Sequence, residues 1–196
     1  MPEQTAQDTL DRTPPCNAGG QAHTFLWRIA LEARSRMEAR AGCSPGDGVI
    51  ALVFSFMALE AYVNFIGPRL DPLWPADFKA EKKYFGKLDT RGTVRKINYV
   101  ARLAGLADFS EHARPLRTVI ALRELRHALA HARPGKANGS LSELASPGHA
   151  EEAMRDVEEL AEALHAATLR ALADRNTQPA GLPALGLKAF SEPGGA

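Results

Sequence analysis

Two guanidiniums and two imidazoles sit close together in Arg123-Glu124-Leu125-Arg126-His127-Ala128-Leu129-Ala130-His131, a combination suited to acid/base chemistry on a phosphodiester. Histidine moves protons near neutral pH, and the arginine fork matches two phosphate oxygens. Cleaving RNA without a metal needs a group to take the 2′-hydroxyl proton, a group to protonate the leaving oxygen, and a cation beside the phosphorane. Here His131 and Arg126 fit those tasks, with His127 and Arg123 in support.

Leu122, Leu125 and Leu129 recur at helical spacing and turn inward, so the cluster belongs to one helix. At 100° per residue Arg123, Arg126, His127 and His131 share an arc of roughly 140° away from the leucines. Arg126 and His131 lie at opposite edges of that arc. They are not close i,i+3 or i,i+4 neighbours, so two ways of uniting them stay open. One is the helix end, because Pro134 biases Arg133 away from helical angles. The other is a second copy of the helix across a two-fold axis.

Arg126-His127-x-x-x-His131 resembles the motif of the HEPN superfamily, an arginine, a polar residue, three variable residues and a histidine near the end of a long helix. Met57-Ala58-Leu59-Glu60-Ala61-Tyr62-Val63-Asn64 is similar to a helix found upstream of that motif in several HEPN groups. The two signatures come in the expected order and frame residues 21–174. The resemblance implies an all-α bundle, often dimeric, and a metal-independent ribonuclease acting as a toxin, a defence effector or an RNA-processing enzyme. It also implies a composite site where two motifs face each other, and a product with a 2′,3′-cyclic phosphate. Two relatives of that reading are an inactive HEPN module that binds RNA or protein, and a toxin held by a nucleotidyltransferase antitoxin. In such toxins a tyrosine two positions after the motif histidine can be modified. Here that position is Arg133.

The elements around the motif read as about five helices. Gln21 to Ala41 forms the first, with Phe25, Leu26, Ile29 and Leu31 inward. Asp47 to Ile66 is apolar on nearly every side and belongs in the middle of the bundle. Glu60 and Asn64 sit one turn apart on it. A buried carboxylate needs a partner, and contact is expected with the Arg123 and Arg126 side of the motif helix, either as a structural tie or to orient Arg126 or His131. Three prolines break the chain between Gly67 and Thr90, where Lys82, Lys83 and Lys87 alternate with Tyr84 and Phe85. Such a segment can stack bases and hold phosphates, or plug the bundle with its aromatics. Thr93 to Leu103, Glu111 to Arg133 and His149 to Ala173 complete the set, leaving residues 1–20 as a flexible leader and 175–196 as a disordered tail.

With 196 residues, 45% apolar and 24% charged, the chain suits one soluble domain. The net charge of +1 hides a division: Lys79 to Arg133 carries 13 Lys/Arg against 5 Asp/Glu, and Glu143 to Asp174 carries 2 against 8. A basic middle and an acidic last helix either favour phosphate on one face or complement one another. Cys16 and Cys43 form no C-x-x-C, so no zinc ribbon or disulfide framework is expected. His127 and His131 could chelate a metal as i,i+4 neighbours, but no H-E-x-x-H and no clear third ligand accompany them, so neither metal nor cofactor is expected. His23, His112, His149 and His165 read as surface or helix-end residues. The start of the chain has no signal-peptide pattern, and the apolar run Val49 to Leu59 is short for a bilayer, with Glu60 and Asn64 interrupting its continuation. The expected setting is the cytoplasm, with single-stranded RNA, a second copy and an antitoxin as the candidate partners.

Overall fold

The computed structural model describes residues 22–39, 45–75, 92–131 and 146–175. Those residues form five helices and no strand: α1 (Ala22–Ala39), α2 (Pro45–Leu70), α3 (Gly92–Leu103), α4 (Leu116–Ala130) and α5 (Pro147–Asp174). The molecule is an all-α bundle, as the spacing of its apolar residues predicts. α2 packs against all four other helices. Its Leu52, Phe56, Leu59, Val63 and Ile66 are buried, which is what a helix apolar on nearly every side must achieve in water.

Three expectations about the elements need correction. In α1 the inward stripe is His23, Trp27, Ala30, Ala33 and Met37; of the expected residues Leu26 and Leu31 pack against the core from its edge, whereas Phe25 is 55% exposed. The stripe keeps i,i+3 and i,i+4 spacing with two rings followed by two alanines, and the alanines let α1 lie close along α2. Phe25 faces outward, with the Arg28 guanidinium 5.5 Å from its ring centre.

α2 does not stop at Ile66. It runs through Gly67 and Pro68 to Leu70, so the helix, at 26 residues, is long and apolar enough to cross a membrane by length and composition. It is also the core helix of the bundle, and core helices pass the same test. Gly67 is there for contact: a Cβ at this position would overlap the Trp74 ring. Asp71 ends the helix, with its backbone N–H donating to the Gly67 carbonyl at 2.9 Å. Its carboxylate accepts from the Leu73 N–H and from Tyr99 Oη, each at 2.8 Å.

α4 starts at Leu116 rather than Glu111. Pro115 has no N–H to give to a preceding helical turn, and it becomes the residue that flanks the helix. α3 ends at Leu103, the boundary expected from its spacing, and is closed by Gly105, whose φ of +79° suits a residue without a Cβ. There the Leu106 N–H reaches the Ala101 carbonyl at 2.8 Å and the Gly105 N–H reaches Arg102 at 3.0 Å, a Schellman closure.

Ties between the helices set their directions. Arg114, before α4, holds Asp156 and Glu152 of α5, while the later α4 residues Leu122 and Leu125 share a cleft with His149. α4 is therefore antiparallel to α5. α2 runs parallel to α5, with Leu52 near Ala153, Tyr62 bonded to His165, and the Leu70 carbonyl bonded to Arg175. The last turn of α4 lies at the end of the bundle where α2 and α5 begin.

Candidate functional site

Arg126, His127 and His131 are all exposed on the last turn of α4. Leu122 and Leu125 are buried and Leu129 is half-buried, so the leucines anchor the helix and leave the polar side to solvent. His131 caps the helix with φ −121° and ψ 31°, outside helical geometry, and its N–H donates to the His127 carbonyl at 3.1 Å. The rings of His127 and His131 lie 4.6 Å apart, centre to centre, tilted by 56°. Two imidazoles thus share one point on the surface.

Arg123 is half-buried, and its Nη1 is buried with no hydrogen-bond partner among the described residues. A guanidinium N–H out of water and unbonded is costly. Lys82, Lys83, Lys87 and Arg133, the other cations singled out for RNA, lie outside the described residues.

Glu60 and Asn64 do not meet α4. Glu60, half-buried, accepts from Thr93 Oγ1 at 3.2 Å, and Asn64, exposed, accepts from Lys96 Nζ at 3.3 Å. The reason is topological: α3 lies along this length of α2, whereas α4 meets α2 nearer its beginning, at Leu52. Burial lowers the pKa of Lys96, and the charge of Glu60 opposes that shift. The carboxylate on α2 is thus matched by a lysine on α3, not by an arginine of the motif.

Residues of no evident promise in the sequence line a concave surface among the described residues. A cleft of about 400 Å³ opens between α2, α4 and α5, with Leu52, Leu122 and Leu125 on its floor and Arg114, Arg117 and His149 around it. Its size suits a small ligand. Arg114 is already committed: its Nε and Nη2 grip both Asp156 oxygens at 2.8 Å, and it also holds Glu152. Thr118 bonds the same Asp156 carboxylate. Arg126, His127 and His131 do not line this cleft, because they project from other sides of α4.

No family model matches the chain, and neither a curated protein nor a solved structure matches it significantly. The chemistry rests on the residues alone.

Of the histidines that read as surface groups, one is buried in the interior and a second is half-buried. His23 is 2% exposed and sits 5.3 Å from the Tyr62 ring and 4.8 Å from Phe65. His165 Nδ1 is 2.9 Å from Tyr62 Oη. Burial drives the His23 pKa down to about 4, with Arg69 and His165 adding to the effect, and burial also lowers His165. Burial raises the Tyr62 hydroxyl. The signal that places His23 inside was present: it falls in register with Trp27, Ala30 and Ala33. His112 and His149 are exposed, in line with expectation.

Proposed function

We propose that the chain is a HEPN-type endoribonuclease that cleaves single-stranded RNA without a metal, through a composite site formed by two copies. The observation that carries this reading is the exposed Arg126, His127 and His131 group on one helix end, with its two imidazoles 4.6 Å apart. In the proposed step the 2′-oxygen attacks phosphorus and its proton passes to an imidazole. The bond from phosphorus to the 5′-oxygen breaks, and a second imidazole protonates that oxygen. The product keeps a 2′,3′-cyclic phosphate on one fragment and a 5′-hydroxyl on the other. His131 carries the proton transfer, and Arg126 holds the doubly charged phosphorane. The neighbouring starts of α2 and α5 add partial positive charge at this end of the bundle. His127 and Arg123 support the pair, and Glu60 with Asn64 stiffens the α2–α3 contact at a distance from it.

Replacing His131 or Arg126 with alanine lowers single-turnover cleavage of an unstructured RNA by at least ~100-fold, with helicity unchanged by circular dichroism. Cleavage that survives both replacements overturns the assignment. Where expression of the wild type arrests growth, either replacement relieves it, which also tests the toxin form of the proposal and any need for an antitoxin.

A second reading is favoured by one observation: the cleft of about 400 Å³ holds Arg117 and His149 and none of the motif. On that reading the chain is a catalytically inactive HEPN module, and the cleft receives a ligand or partner. Harmless expression together with no cleavage selects it.

A further inference from the structure

The two exposed imidazoles offer a chemistry apart from proton transfer. Histidines four apart on a helix stand one above the other on one face, and His127 and His131 bring their ring centres within 4.6 Å. Neutral imidazole is a good ligand for borderline divalent transition ions. Glu124 precedes His127 by three residues, is exposed, and falls on the same stripe, since positions 124, 127 and 131 span about 60° of the helix circumference. The stripe thus reads Glu-x-x-His-x-x-x-His, two nitrogen ligands with a carboxylate one turn away. The carbonyls of the last turn add negative partial charge at the same end. Arg126 opposes a cation here, yet it is exposed and its field is screened by solvent.

We propose that His127 and His131 form a two-imidazole site for a divalent transition ion such as Zn²⁺, with Glu124 supplying compensating charge and water completing the coordination. Among the described residues no three of His, Cys, Asp and Glu converge on one point. Glu124 is therefore no third ligand, and its contribution is electrostatic. The consequence for activity rests on the ribonuclease reading. An imidazole whose lone pair is given to an ion cannot accept the 2′-hydroxyl proton, so the ion inhibits cleavage.

The test is titration calorimetry of Zn²⁺ into the full chain. One equivalent binds per copy. His127→Ala and His131→Ala each weaken binding roughly tenfold or more, Glu124→Gln weakens it less, and His112→Ala leaves it unchanged. Zn²⁺ also raises the thermal midpoint of the wild type, a readout that needs no variant. Absence of binding, or binding that both histidine variants retain, overturns the site. Saturating Zn²⁺ stops cleavage of the same unstructured RNA, and an unchanged rate with the ion bound overturns the inhibitory coupling. An intact Zn²⁺ isotherm in a chain that cleaves no RNA without the ion counts for the metal site and against the ribonuclease reading alone.

Discussion

His23 shows what burial does to a titratable side chain. The imidazole is held neutral with a pKa of about 4, against 6.5 in the unfolded chain. Between those values the unfolded state binds the extra proton, so stability is fully present above about pH 6.5 and falls as the pH drops toward 4. The loss reaches about 3 kcal/mol at most. His165, also lowered by burial, acts in the same direction. Denaturant midpoints measured across that range decline for the wild type, and the decline becomes shallower in His23→Phe, which keeps the ring contacts with Tyr62 and Phe65. An equal slope in the variant excludes His23 as the source. Arg123 makes the opposite case. Its Nη1 lies buried with no hydrogen-bond partner among the described residues, so Arg123→Met leaves stability unchanged or raises it by about 1 kcal/mol at most, read from thermal unfolding. If RNA cleavage falls in a variant of undiminished stability, the guanidinium is kept for the substrate rather than the fold.

Among the elements, the α2 to α3 connection depends on one missing side chain. Gly67→Ala drives a methyl into the Trp74 ring and costs about 1–3 kcal/mol by overpacking. Chemical denaturation of the variant checks this, and a shift much smaller than that range means Trp74 is free to move away. The same region shows where periodicity stops being informative. Gly67 and Pro68 read as helix breakers, yet the helix passes through both, since Pro68 is exposed and Gly67 serves a tertiary contact. Within regular helices the pattern was legible: the buried leucines of α4, the Gly105 stop, and Met154, Val157, Leu160 and Leu164 of α5 all follow from spacing. Partner choice was not legible. Glu60 looked like a match for the motif arginines, but the order in which helices surround α2 gave it Thr93 of α3, with Lys96 nearby.

For the whole molecule, the bundle directions matter more than any single pair. Antiparallel α4 and α5, tied by Arg114 to Asp156 and Glu152, carry the motif to the end where α2 and α5 begin. The basic middle and acidic last helix of the sequence are partly spent on that tie, as the reading of complementary charges anticipated. Asp156→Asn removes the carboxylate from a site where its side chain is 4% exposed and loosens the hold of α5 on the turn before α4. Arg114 faces solvent, so the loss stays below that of a pair buried on both sides, and it is read from the denaturant midpoint. The cleft and the motif both depend on α4, so this variant separates a damaged scaffold from a damaged site. The cleft itself, with Arg117 and His149 drawn together from α4 and α5, had no counterpart in any short motif. Only three-dimensional packing could assemble it.

The account stands or falls on the chemistry at the end of α4, and the most direct measurement is the terminus left on a cut RNA. Purified chain is incubated with an unstructured oligoribonucleotide and EDTA, and the fragments are weighed by mass spectrometry. The expected result is a 2′,3′-cyclic phosphate on one fragment and a 5′-hydroxyl on the other, both absent with His131→Ala. Intact RNA, or fragments ending in a 3′-hydroxyl and a 5′-phosphate, contradicts it.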